Sequence, residues 1–245
     1  MEQERPAKLK IVKEHMVTTS YPRTQNSLSD ILENRYSARS FLPVELPRSQ
    51  IERLLEAAAL APSWCNTQPW RAYVAYGPVL QRISKDLIVA ARDRADVPDI
   101  PFVSEYQEPY NGRKQAADVA LREARGLVTT DYRGQIDAVR SNWLFFNAPQ
   151  AIFLTVPKSF GPYALLDLGC FLQSFLLACV AEGLAACPQA SLARYPKAVR
   201  SHLPIDTDES LVCGVSFGLP DLAAGANQCR TDRAALDEFA NFYDQ

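Results

Sequence analysis

APSWCNTQPWRAYVAY, residues 61–76, holds a helix stop, a polar loop and a strand in succession. Before it, Pro47 opens a helix in which Ile51, Leu54, Leu55, Ala58 and Ala59 recur with helical period. Pro62 ends that helix, because proline lacks a backbone donor and its ring clashes with the preceding turn. Pro62 and Pro69 then bracket Ser63, Trp64, Cys65, Asn66, Thr67 and Gln68, a non-helical stretch dense in hydrogen-bonding groups. Such a loop can present amides and hydroxyls to the edge of a planar, heteroatom-rich ring. The plainer alternative is a connector into the strand, with Trp70 as a core anchor. RAYVAY, 71–76, has strand composition.

Outward from this segment, strands and helices mix without regular alternation. Ser27 and Asp30 have capping-box spacing and start a helix through Ile31, Leu32 and Arg35. A helix is expected from about Pro78 to Arg94, an irregular connection over 96–113, and helical pattern at about 115–125 and 131–145. AIFLTV, 151–156, and LVCGVSF, 211–217, are apolar strands. Ala164 to Glu182 is a long apolar helix closed by Gly183. A last helix is expected from about Ala234 to Phe242. The pattern predicts an α+β fold with a small central sheet rather than a doubly wound one. One domain is expected over 27–245, preceded by a polar extension, 1–26.

Composition narrows the function. The chain has 245 residues and a formal net charge of -2 from 26 Lys+Arg and 28 Asp+Glu, so no basic footprint for nucleic acid is present. The longest uninterrupted apolar run, Phe175 to Ala181, is far below the roughly 20 residues that span a bilayer. No secretory leader is apparent, and six cysteines without a CxxC pair read as reduced, mostly buried thiols of a cytoplasmic protein. Two histidines, His15 and His202, leave no zinc spacing, and His202 reads as a surface or capping residue. No two glycines are spaced G-x-G, and no P-loop, GxSxG or HExxH occurs. Any demanding chemistry would therefore belong to a cofactor.

NRYSARSF, 34–41, places Arg35 and Arg39 four residues apart with Ser37 between them. Two guanidiniums and a hydroxyl at a helix end can converge on one phosphate, because the planar fork of arginine binds phosphate oxygens in bidentate fashion. On spacing alone, solvated arginines bridged to Glu33 or Glu45 are the simpler reading.

RYSARSF followed some 25 residues later by APSWCNTQPW resembles the nitroreductase family of FMN-dependent oxidoreductases. The first is similar to that family's phosphate-binding Arg-x-Ser-x-Arg segment, the second to its Ala-Pro-Ser-x-x-Asn-x-Gln-Pro-Trp loop. DLGCFLQSFLLACVAEGL (167–184), CPQA (187–190), FGLPD (217–221) and NQCRTDRAAL (227–236) agree with later family segments, so the resemblance covers roughly residues 28–240. It implies a small, mostly antiparallel sheet flanked by helices in an intertwined homodimer, with FMN at the interface. It further implies hydride transfer from NADH or NADPH through flavin N5 to a small-molecule acceptor, such as a nitroaromatic or quinone, by a ping-pong route. An enone or halogenated phenol as acceptor, or a flavin-binding regulator with little turnover, are the alternatives.

Carried over by position, the resemblance implies that Arg35, Tyr36, Ser37 and Arg39 hold the FMN phosphate and ribityl chain, with Arg233 and the helper Arg230 from the C-terminal segment. Ser63, Trp64 and Asn66 would approach the flavin from the other subunit. Pro188, Gln189, Ala190 and Ser191 would pass beside the ring, with Asn142 near its pyrimidine edge. No catalytic side chain and no metal ligand is implied. Trp64 is bulky where many relatives carry a small polar residue, and Ala190 stands where some carry an acid, so donor preference and substrate wall are not carried over. Cys65 and Cys187 read as packing residues near the flavin.

Overall fold

The computed structural model describes residues 27–94, 97–128 and 130–244. The expected extension, 1–26, lies outside the described residues. Within them, seven α-helices flank one four-stranded sheet. The strands are β1 (Arg71–Tyr76), β2 (Gln150–Pro157), β3 (Ala185–Gln189) and β4 (Glu209–Gly218), in spatial order β1-β2-β4-β3, and every pair is antiparallel.

Side-chain alternation along β2 and β4 gives the sheet two buried faces. Ile152, Leu154, Val215 and Phe217 pack against Ile51 and Leu54 of α2 (Arg48–Ala58) and Leu168, Phe171 and Phe175 of α6 (Pro162–Ala181). Phe175 meets Phe217 edge to face with ring centroids 5.2 Å apart. Ala151 and Phe153 point the other way, toward Ile83 and Leu87 of α3 (Gly77–Arg92) and toward Val199 of α7 (Pro196–Arg200). The result is three layers with the sheet in the middle. By length and composition α6 could cross a membrane, at 20 residues and a mean hydropathy of 1.9 over its most apolar window. Its Leu168, Phe171, Phe175 and Cys179 instead pack into the core.

Local signals explain most boundaries. The Ser27 side chain accepts from the Asp30 backbone N–H, and the Asp30 carboxylate accepts from the Ser27 N–H at 2.8 Å, closing the capping box of α1 (Leu28–Asn34). Three expectations change, and one segment gains an element. The 96–113 connection is shorter, because α4 (Tyr110–Ala124) already begins at Tyr110. The expected helix over 131–145 ends at Arg140 as α5 (Tyr132–Arg140), and Phe145, Phe146 and Asn147 follow with positive φ. Cys187, Pro188 and Gln189 of CPQA, for which the sequence predicts no element, lie in strand β3, which pairs with β4, and Ala190 opens the 3-10 turn that follows. The helix expected near 234–242 is only a short 3-10 turn, Leu236–Glu238. Phe239, Phe242 and Tyr243 there are exposed, so no packed face supports a helix.

Candidate functional site

The segment 35–41 leaves α1 extended and runs along the free edge of β3. Ser37 forms a parallel bridge with Ala186, and the Ala38 N–H donates to the Ala186 carbonyl at 3.2 Å. Arg35 caps α1. The Arg39 N–H donates to Oδ1 of Asn227 at 2.7 Å. Asn227 is buried, and its Nδ2 donates to the carbonyls of Ser40 and Asp221, both at 2.8 Å. One amide side chain thus ties the 35–41 segment to the turn Gly225–Gln228.

This turn leads into Arg230 and Arg233. The Arg230 guanidinium lies 3.9 Å from the centroid of the Tyr36 ring, a cation–π contact. It also donates to the carbonyls of Asn227 and Cys229 at 2.9 Å. Arg233 donates to the Thr231 carbonyl at 2.8 Å. The Tyr36 hydroxyl is buried without a hydrogen-bond partner.

Several guanidiniums are close enough here to repel one another, while the nearby Asp221 carboxylate accepts from the Ser40 hydroxyl at 3.3 Å rather than from an arginine. Burial first, then the neighbouring charges of Arg233 and Arg230, lower the pKa of Arg35. Burial and the charge of Arg39 do the same to Arg125, at the C-terminal end of α4. Both groups remain cationic at neutral pH. Beneath them lies Cys187, whose thiol is pushed up to about 11 by burial while Arg39, Arg125 and Arg35 pull it down. Among the described residues, no carboxylate bonds to the side chain of Arg35, Arg39, Arg125, Arg230 or Arg233. Arg35, Arg39 and Arg125 are partly buried and Arg230 and Arg233 exposed, a grouping of cations without a bonded counter-ion that suits an anion.

Further along the sheet edge, β3 ends at Gln189. Its Nε2 donates to the Asn142 carbonyl at 3.0 Å, and its Oε1 accepts from Ser216. The Ser191 hydroxyl donates to Asn142 Oδ1 at 3.2 Å. The structure therefore brings together Asn142, Gln189 and Ser191, which the sequence placed on one ligand. It also assigns the Gln189 side chain inward. Being buried and committed to Asn142 and Ser216, that side chain positions the strand end. Pro188 has no N–H, so the donors available to a ligand at this edge are the Ala190 and Ser191 backbones. Ala190 is exposed.

Ser63, Trp64 and Asn66 sit elsewhere in the chain. Cys65, Asn66 and Gln68 all have positive φ, at 51°, 56° and 47°, a conformation that non-glycine residues hold only when their surroundings enforce it. The enforcement is visible. The Trp64 N–H donates to buried Asp167 of α6 at 3.0 Å, and the Gln68 N–H donates to the Ser63 hydroxyl at 2.9 Å. The Trp64 ring meets Tyr163 edge to face at 4.4 Å and is 59% exposed. These bonds fasten the loop to α6 and present Trp64 outward.

The sequence did not single out Arg125 or Asn227 as site residues. A basic residue at a helix C-terminus is ordinary, and the role of Asn227 is visible only from the backbone it bonds. His202 pairs with Asp86 at 2.7 Å, away from this region. Cys65 is exposed, contrary to the packing role expected of it, whereas Cys187 is buried as expected.

An antiparallel sheet between helical layers defines an α+β protein, and the guanidiniums along one edge of the sheet have no carboxylate bonded to them among the described residues. The model of the Nitroreductase family matches residues 32–219. A 4-nitrobenzoate reductase of Pseudomonas putida is 31% identical over 212 residues, 86% of this chain and 93% of the relative. A chloronitrobenzene nitroreductase of Comamonas testosteroni is 30% identical over 89% of this chain and 98% of its own. The crystal structure of the FMN-dependent nitroreductase NfnB from Mycobacterium smegmatis in complex with NADPH superposes with a TM-score of 0.84 at 29% identity, covering 88% and 97% of the two chains. The chain belongs to the nitroreductase family.

Proposed function

We propose that this protein is an FMN-dependent oxidoreductase that takes hydride from NADPH or NADH and reduces a nitroaromatic or quinone-like acceptor, working as a homodimer. The carrying observation is the set of guanidiniums along the 35–41 segment with no carboxylate to neutralise them. A phosphate monoester brings about −1.5 to −2 charges and three strong acceptor oxygens, which is what these donors lack. The names of the relatives, reductases of nitrobenzoate and chloronitrobenzene, support the acceptor class.

Each part of the chain has a role in this reading. Arg35, Arg39 and Arg233 hold the phosphate, with Arg230 helping while braced on Tyr36. Ser37 lies between them for the ribityl chain. Ala190 and Ser191 offer backbone N–H groups to the ring where negative charge develops, and Asn142 holds Ser191 and Gln189 in register. Bound FMN supplies two-electron hydride chemistry. No protein acid or base is required, which suits a described chain whose single histidine is paired with Asp86.

The homodimer reading rests on the outer face of α6. Tyr163 and Leu166 are exposed on it at 58% and 63%, Trp64 of the adjoining loop packs on Tyr163 at 59% exposure, and Leu60, just past the end of α2, is 87% exposed. A partner covering this face would meet the fastened 63–68 loop, so Ser63, Trp64 and Asn66 would act on the partner's cofactor. Among the described residues every cysteine is a free thiol, in keeping with a reducing cytoplasm.

The test is the absorption spectrum of the purified protein under anaerobic conditions. A flavin spectrum that bleaches on addition of NADPH or NADH and returns on addition of 4-nitrobenzoate is expected. A protein that takes up no FMN contradicts the cofactor. Bleaching that a nitroarene does not reverse contradicts the acceptor class.

A further inference from the structure

We propose that Arg125 is a further ligand of the cofactor phosphate, carried into the site by close docking of α4 on the Gly225 turn. The inference rests on FMN being the cofactor. Arg125 caps α4. Its guanidinium is partly buried, and among the described residues it has no ion pair and no hydrogen-bond acceptor. It is close enough to Arg39 for the two charges to repel, and buried Cys187 feels Arg39, Arg125 and Arg35 together.

The backbone explains how α4 reaches this place. A Cβ on Gly225 would lie 2.2 Å from the Ala124 carbonyl oxygen, so only glycine allows this contact. Two residues on, Asn227 accepts the Arg39 N–H. The turn Gly225–Gln228 therefore fixes two cations at once, Arg39 through a hydrogen bond and Arg125 through the seat of its helix. A helix-dipole role would place Arg125 over the last carbonyls of α4. Its side chain makes no such bond, whereas Arg39, Arg230 and Arg233 all donate to nearby backbone. The like-charged grouping is relieved only when an anion enters it.

The test compares FMN with riboflavin, which lacks the phosphate, by flavin fluorescence titration of the full-length apoprotein at low salt. Charge-assisted bonds of this kind imply that Arg125→Ala weakens FMN binding about tenfold or more and leaves riboflavin binding unchanged. Arg125→Lys, which keeps the charge but not the fork, should fall between, and it serves as the readout if the alanine variant fails to fold. An unchanged FMN-to-riboflavin affinity ratio in both variants, or equal weakening of both flavins, overturns the assignment. A wild-type protein with no preference for FMN would instead remove the cofactor reading beneath it, and the inference with it.

Discussion

At the scale of residues, two arginines four positions apart with a serine between them were legible in NRYSARSF, and the fold does set them on one sheet edge. What the spacing left open was the balance between solvated ion pairs and an anion site. In the structure neither Glu33 nor Glu45 bonds to Arg35 or Arg39, which supports the anion site over the solvated pairs. Arg39→Ala is expected to weaken FMN retention by one to two orders of magnitude, at ~1.5–3 kcal/mol for a lost charge-assisted bond. Equilibrium dialysis against FMN checks this, and undiminished retention removes Arg39 from the site. Gln189 shows the opposite limit of sequence reading. The resemblance put it beside the ligand, but which way its amide turns depends on Asn142 and Ser216, both distant in sequence. The thiols carry a pH prediction. Burial holds Cys187 neutral to about 11 and Cys213 to about 12, whereas an unfolded thiol ionises near pH 8.5. Raised folded values mean that this stability is complete below about pH 8.5 and is lost as pH climbs toward 11. Urea midpoints at pH 7.5 and 10.5 should diverge less in Cys187→Ala than in wild type.

At the scale of elements, β1, β2, β4 and α6 were readable because composition and period agreed with burial. β3 was not. AACPQ has two alanines and a proline, little strand propensity, and acquires its conformation from pairing with β4. The C-terminal segment erred the other way, with helical spacing from Ala234 onward but nothing in the chain to pack against. α6 contributes heavily to stability, since with α2 it covers one face of the sheet. Phe175→Ala, at a fully buried ring against Phe217, should cost about 3–5 kcal/mol, read as a lowered urea midpoint without a change in FMN stoichiometry. A loss under 1 kcal/mol would contradict the packing described.

At the scale of the whole molecule, the sheet is buried on both faces and the 35–41 segment bridges the outer edge of β3 at Ala186, so the proposed ligand would meet backbone past the end of that strand, at Ala190 and Ser191. The outer face of α6 stays apolar, and the sequence already suggested as much by making that helix apolar nearly all round. Light scattering should give twice the 27.3 kDa chain mass, and Trp64→Glu should shift the protein toward monomer with loss of bound flavin. A monomeric wild type that still binds FMN would remove the partner from the site. The central claim, that uncompensated guanidiniums grip a phosphate, is met most directly by titrating the wild-type apoprotein with FMN and with riboflavin at low and high salt. The account predicts FMN binding at least a hundredfold tighter than riboflavin at low salt, with the gap narrowing as salt screens the partly exposed charges. Equal affinity for the two flavins at every salt concentration would contradict it.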